Sequence, residues 1–239
     1  MPFVIAITAQ GSAASFTSYA VSGGTVKGGS GTDEITLNAS GGGFGRVTAI
    51  AAFNADINAG NDDDRIELIA SGSSQTVTAA GAQGSTIKGG NGNDTISFRI
   101  SGNALNGRES AAIISSEVYG NGGNDTITAT VEAGSSGSSS FADYDIVDAL
   151  VFGGSGDDTF DVGIGNGTLQ GNSGTDTAIL DYFNNDTMDV TAIAGGVRIT
   201  GSQTRNGTEG TWSQDIVSTE NYQVNGVLYT AESLVSTFA

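Results

Sequence analysis

The chain has 239 residues, 38 of them glycine and 1 proline, with 26 acidic side chains against 8 basic ones for a formal charge of −18. Such a length buries a real core in one elongated domain with a tail, and the charge argues against nucleic acid, whose phosphates need clustered Lys and Arg, and against anionic membrane surfaces. The lack of cysteine removes disulfides and zinc–thiolate sites, the lack of histidine removes the commonest general base, and no apolar run reaches the roughly 18 residues of a membrane span, so no membrane insertion is expected.

In chain order, Val4 to Thr8 reads as a first strand. The segment around it is apolar but holds no Lys or Arg before Lys27, so it lacks the basic region of a secretory signal. The chain then enters a repeat. Six acidic, glycine-rich loops recur: GGSGTDEI (Gly28 to Ile35), AGNDDDRI (Ala59 to Ile66), GGNGNDTI (Gly89 to Ile96), GNGGNDTI (Gly120 to Ile127), GGSGDDTF (Gly153 to Phe160) and GNSGTDTA (Gly171 to Ala178). Their aspartates, Asp33, Asp64, Asp94, Asp125, Asp158 and Asp176, are spaced by 31, 30, 31, 33 and 18 residues. A period near 31 suits one turn of a solenoid, with the final turn cut short.

After each aspartate the chain alternates with period two, as a half-buried strand does. The inward set is Ile35, Leu37, Ala39; Ile66, Leu68, Ala70; Ile96, Phe98, Ile100; Ile127, Ala129, Val131; Phe160, Val162, Ile164; and Ala178, Leu180, Tyr182. A slip of one residue would exchange the two faces, so the register is well specified. Glycine-rich breaks follow these strands at Ser40 to Gly45, Ser71 to Ser74 and Gly134 to Ser140. A second run comes next: Val47 to Phe53, Thr76 to Ala80, Ala111 to Ile114 and Tyr144 to Ala149. A short third strand enters each loop: Thr25 to Lys27, Asp56 to Asn58, Thr86 to Lys88, Glu117 to Tyr119 and Leu150 to Phe152. Three strands per repeat predict a roughly triangular parallel β-helix, and no stretch shows helical periodicity.

A glycine-rich turn that ends in a carboxylate suits a hard cation. Calcium takes six to eight oxygen ligands at about 2.3–2.6 Å, and glycine lets a tight turn aim carbonyls inward. One aspartate per loop cannot complete such a shell, whereas two stacked loops offer two carboxylates and several carbonyls. Calcium ions are therefore expected between successive coils, and six loops leave about five gaps. The candidate ligands are Gly28, Gly29, Gly31 and Asp33; Gly60, Asp62 and Asp64; Gly89, Gly90, Gly92 and Asp94; Gly120, Gly122, Gly123 and Asp125; Gly153, Gly154, Gly156 and Asp158; and Gly171, Gly174 and Asp176.

These loops resemble the nonapeptide G-G-x-G-x-D-x-U-x of the RTX (repeats-in-toxin) proteins. Gly28–Thr36, Gly89–Ser97 and Gly153–Asp161 match at every defined position, and Gly120–Thr128 departs only at Asn121. Ala59–Glu67 lacks glycine at Ala59 and Asp62, and Gly171–Ile179 has Asn172 and then Ala178 at the apolar position, which makes these two loops the weakest sites. RTX nonapeptides usually run in tandem, whereas here only Asp158 to Asp176 has that spacing, so calcium is expected along one edge of a wider coil. The fold expected is an all-β, right-handed parallel β-helix (β-solenoid) with glycine-rich calcium loops stacked on one edge. Residues 1–182 form its roughly six coils, and residues 183–239 a C-terminal β cap. Asp215 to Leu234 is similar to the segment that closes such arrays, and the resemblance implies export by type I secretion through an uncleaved C-terminal signal.

Other chemistries fit less well. Parallel β-helices also carry polysaccharide lyases and hydrolases, but no pair of carboxylates stands out. Asp143, Asp145 and Asp148 alternate as a solvated strand face would. Lys27 and Lys88 precede loops and read as local charge partners, while Arg46, Arg65, Arg99 and Arg108 share no repeat position. Thr126, Thr128 and Thr130 form one outward threonine row without the uniform face of an ice binder. Trp212 reads as a partly buried aromatic of the cap in a polar tail loop. The function expected is a secreted, calcium-binding structural protein of a bacterial surface or matrix, with other copies of itself as partners through the open N-terminal strand. A polysaccharide-active enzyme (lyase, epimerase or hydrolase) or an adhesin module for surface glycans is the alternative.

Overall fold

The computed structural model describes residues 1–12, 15–74, 76–104, 110–132, 144–180, 187–205 and 208–239. The expectations for Gly134 to Ser140, Arg108, Asp143 and Tyr182 lie outside these residues. The first coil is β1 (Val4–Ser12), β2 (Phe16–Ser22) and β3 (Thr25–Ser30). The next three follow the same plan: β4 (Glu34–Gly42), β5 (Arg46–Phe53), β6 (Asp56–Asn61); β7 (Arg65–Ser74), β8 (Thr76–Gln83), β9 (Thr86–Asn91); β10 (Thr95–Ala104), β11 (Ala111–Ile114), β12 (Glu117–Gly122). The second and third strands then fuse, so β13 (Thr126–Glu132) is followed by β14 (Tyr144–Ser155) and β15 (Thr159–Val162) by β16 (Gly165–Ser173). After β17 (Thr177–Ile179) come β18 (Thr187–Ile193), β19 (Gly196–Arg205), β20 (Thr208–Val217), β21 (Asn221–Val224), β22 (Val227–Tyr229) and a helix, α1 (Ala231–Phe238).

The result is a stacked parallel β-solenoid. One sheet runs β1-β4-β7-β10-β13-β15-β17-β21, all parallel, and ends on the antiparallel β22. The second runs β2-β5-β8-β11-β14-β16-β20, with β3, β6, β9 and β12 stacked in parallel beside it. β18 and β19 close it as an antiparallel hairpin on β20. The tail thus extends both sheets of the array, since β20 lies on β16 and β21 on β17.

The core follows the period-two reading. Ile35, Ile66, Ile96, Ile127, Phe160, Ala178 and Tyr222 form one fully buried row in strict register. Leu37, Leu68, Phe98, Ala129 and Val162 form the next, with the small Ala129 beside the large Phe98, and Gly81 leaves room for the Phe98 ring. Val131, at the end of its strand, is only partly buried.

Five expectations need correction. The breaks at Ser40 and Ser71 are strand ends, because β4 and β7 run on to Gly42 and Ser74. Their glycines admit bulk from the second-strand sheet: a β-carbon on Gly41 would overlap the Phe16 ring of β2, and one on Gly72 would overlap Val77 of β8. Asp145 is buried and accepts the Val131 N–H at 2.9 Å, so it is not a solvated strand residue. Lys88 lies 6.0 Å from the centre of the Tyr119 ring, an aromatic partner rather than a carboxylate. The tail also holds a helix. Thr230 and Ser233 cap its first turn reciprocally, and Leu234 anchors it in the core. Eight residues are too few for a helical period to show in the sequence. Trp212 is buried at the cap as expected, but within β20 rather than a loop.

Candidate functional site

The loops stack with the strands that feed them. Gly29, Gly60, Gly90, Asn121, Gly154 and Asn172 are aligned in register, each with positive φ between 81° and 131°. Gly31, Asp62, Gly92, Gly123, Gly156 and Gly174 repeat this two residues on, with φ between 79° and 137°. The backbone approach is close: a β-carbon on Gly90, Gly154 or Gly174 would collide with the carbonyl of Gly60, Asn121 or Gly156 in the neighbouring coil. Where glycine is replaced, the residue is Asp62, Asn121 or Asn172, of the two types that best tolerate this conformation. Asp62 lies exposed and accepts the Gly31 N–H at 2.9 Å. Gly122 uses its carbonyl to accept the Gly92 N–H at 2.7 Å.

The structure brings all six aspartates into one ladder inside this edge, each no more than 4% exposed. The N–H of Asp33 donates to Asp64 Oδ1 at 2.7 Å, that of Asp64 to Asp94 at 2.8 Å, and that of Asp94 to Asp125 at 2.7 Å. Asp125 donates to Asp158 at 2.8 Å and Asp158 to Asp176 at 2.9 Å. Phe3 starts the row, its N–H 2.6 Å from Asp33 Oδ1. Glu220 ends it, its Oε2 accepting the Asp176 N–H at 2.8 Å. The sequence reading missed Glu220, because no glycine loop precedes it. The available signal was its place one residue ahead of Asn221–Val224, whose Tyr222 continues the buried row.

Only one oxygen of each aspartate is used. Oδ2 of Asp33, Asp64, Asp94, Asp125, Asp158 and Asp176 is buried and has no hydrogen-bond partner. An ionised carboxylate left this way is costly. Burial accordingly pushes Asp94 and Asp125 up to about 7 and Asp158 up to about 6, from the ordinary 3.8. The donated N–H opposes that shift, and neighbouring carboxylates add to it. Asp64 and Asp176 are raised by the same causes.

The orphaned oxygens face the first residue of their own loops. A β-carbon on Gly28, Gly89, Gly120, Gly153 or Gly171 would stand far inside van der Waals contact of Oδ2 of Asp33, Asp94, Asp125, Asp158 or Asp176. For Gly120 that point is also 2.6 Å from the Gly153 carbonyl oxygen of the next coil. For Gly28 the carbonyl of Ala59 takes that part, and for Gly171 that of Ser218. The missing side chain at these five glycines is thus what lets each carboxylate pack directly against its own loop. In the second loop the corresponding residue is Ala59, buried in the core. No three acidic side chains among the described residues converge on one point, so an ion here needs mainly backbone carbonyls as ligands. A hard, oxygen-preferring cation fits that donor set.

Comparison with protein-family models, with curated proteins and with solved structures gives no match. Among the described residues no helix is long and apolar enough to cross a membrane.

Proposed function

We propose that this chain is a calcium-dependent structural protein that works outside the cell, with calcium held along the aspartate ladder of its solenoid. One observation carries the reading: a row of six buried carboxylates, stacked coil on coil, in which no Oδ2 has a hydrogen-bond partner. Asp33, Asp94, Asp125, Asp158 and Asp176, with carbonyls of the loops stacked on them, would hold the ions. Calcium supplies there the positive charge that the row lacks. In calcium-poor cytosol the carboxylates resist burial; at the calcium level outside cells, binding free energy becomes folding free energy. The RTX-like loop pattern supports that logic, and export by type I secretion is proposed with it.

The structural role extends to self-association. β1 is half-covered, since Ile5 and Ile7 lie over Ile35 and Leu37 with no coil on their other side. Phe3 and Val4 are exposed at this end of the first sheet, and Val227 and Leu228 of β22 at the other. Joining the two ends gives a head-to-tail contact that repeats without closing. Catalysis has no comparable support, so the reading is of a structural protein rather than an enzyme.

Calcium titrated into chelator-treated protein, followed by far-UV circular dichroism and light scattering together, tests both parts. A cooperative gain of β signal with several ions per chain by metal analysis is expected, with scattering rising alongside. A chain that is already folded and binds no calcium sinks the reading. Folding without scattering removes the assembly alone.

A further inference from the structure

The tail carries a trough on its outer surface. Met188 of β18, Gly201 of β19 and Trp212 of β20 are paired in register. Trp212 is buried in the core and Met188 packs against it, so this row offers solvent its backbone as a floor. One residue to one side stand Asp189, Thr200, Ser213 and Asn166 of β16, also in register. One residue to the other side stand Ser202 and Thr211. The two walls are about 6.8 Å apart along the strands, and the longer wall runs about 14 Å across them. The space is a cleft of about 520 Å³. Lys, Arg and Glu on a solvated face lay long stems over the backbone beneath them. Here every wall residue is short, and the floor stays open.

The lining selects the ligand. Thr200, Ser202, Thr211 and Ser213 carry hydroxyls on both sides of the Gly201 and Trp212 backbone. Asn166 Oδ1 accepts the Ser213 N–H at 2.8 Å, which fixes the amide in the wall. Tyr144 donates its hydroxyl to the Thr211 carbonyl at 3.1 Å and sets an aromatic ring beside the shorter wall. Asp189 is exposed and is the one charged side chain among the lining residues. Arg198, two residues from Thr200, is taken up by Asp215 through hydrogen bonds of 2.6 and 2.8 Å. Phosphate, sulfate and uronate groups therefore meet no free guanidinium or ammonium in the lining. An extended peptide finds no open strand edge on β19 or β20, and no apolar side-chain pocket. The lining suits a ligand with closely spaced hydroxyls and no negative charge.

We propose that this trough binds a short neutral oligosaccharide, with Asp189 and Asn166 bonded to its hydroxyls. The site is separate from the calcium edge and does not rest on it. The test applies the full chain, in calcium-containing buffer, to a printed panel of neutral gluco-, galacto-, manno- and chito-oligosaccharides beside uronic-acid and sulfated chains. Calorimetry on the tightest neutral probe follows. Binding to a neutral probe and not to acidic chains is expected. Thr200→Arg, which lays a long side chain over the floor, is expected to abolish it. Asp189→Asn, at an exposed position that folding tolerates, is expected to weaken it about 10-fold. Ser40→Arg is the control, because it obstructs a trough of about 510 Å³ on the first sheet whose lining holds no charged residue, and should bind as wild type does. Far-UV circular dichroism checks the fold of each variant, and Asp189→Asn decides alone should Thr200→Arg misfold. The proposal is overturned if no neutral probe binds, if only acidic chains bind, if either folded tail variant binds as wild type does, or if Ser40→Arg alone loses binding.

Discussion

At the scale of single residues, the two oxygens of each ladder aspartate sit in different surroundings, and substitution separates them. Oδ1 of Asp125 satisfies the Asp94 N–H, while Oδ2 has no partner. Asp125→Ala leaves that N–H orphaned and should cost roughly 1–3 kcal/mol in denaturant titrations made in chelator. Asp125→Asn keeps the acceptor, removes the buried charge and directs an amide donor at the same carbonyls. In chelator above pH 7 it should be more stable than wild type by on the order of 1 kcal/mol, yet gain less on adding calcium. Ala59→Gly gives the second loop the first-position glycine that the other five carry, and should cost roughly 0.5–1 kcal/mol of metal-free stability through the freer glycine backbone.

At the scale of the loop edge, the carboxylates act together and their pH dependence has a defined sign. Asp94, Asp125 and Asp158 are raised from 3.8 to between about 6 and about 7 in the folded chain. A raised pKa means that the folded state holds protons the unfolded chain has released. Metal-free stability is therefore complete below about pH 4 as far as these groups decide it, and falls as pH climbs through about 7. On the proposed calcium reading, the ion needs the ionised form, so its stabilising increment should grow over the same interval. Denaturation midpoints from pH 4.5 to 8, with chelator and with calcium, should diverge as pH rises, and parallel curves would exclude the ladder as the binding site.

Much of this edge was legible in the sequence, because a glycine needed for positive φ and an aspartate ahead of a strand are both residue-specific signals. The register was legible too, since Ile35, Ile66 and Ile96 can sit inside only in one phase. The corners between second and third strands were not. Gly23, Asn54, Gly84, Ser115 and Asp148 all turn with φ between 44° and 63° at the same repeat position, but their identities differ. Left-handed backbone with no single preferred residue leaves no motif, and so Asp148 read as part of an acidic cluster. The side-chain links between coils were equally hidden. Nothing in the loop spelling shows that Asp33 donates to the next aspartate, or that the Ser116 hydroxyl accepts the Ser85 N–H.

At the scale of the whole molecule, the two ends are unlike. The C-terminal end carries the β18–β19 hairpin and the α1 helix, whereas β1, β2 and β3 each pair on one side only. If head-to-tail contact uses the β1 edge, Val4→Lys should suppress calcium-dependent scattering and leave the calcium-induced β signal unchanged. Val4 is 75% exposed in the single chain, so a lysine there has water to enter and folding should tolerate it. Equal scattering from the variant would rule out this edge.

The loop edge carries a second ladder whose hydrogen bonds point the other way. Asn93, Asn124, Asp157 and Thr175 each donate an N–H to the side chain of the preceding coil, at 2.7–2.9 Å. The aspartates donate forward, so the coils of Asp94, Asp125 and Asp158 each give to and take from both neighbours. A repeat unit is then neutral to its own multiplication. Duplicating the 30-residue span from Arg65 to Asp94 returns the same donors and acceptors at the new seam, while an insertion of another length there misaligns both rows. The rod's length is therefore not fixed by its chemistry, and a gene that copies whole periods can lengthen it coil by coil without inventing a new contact.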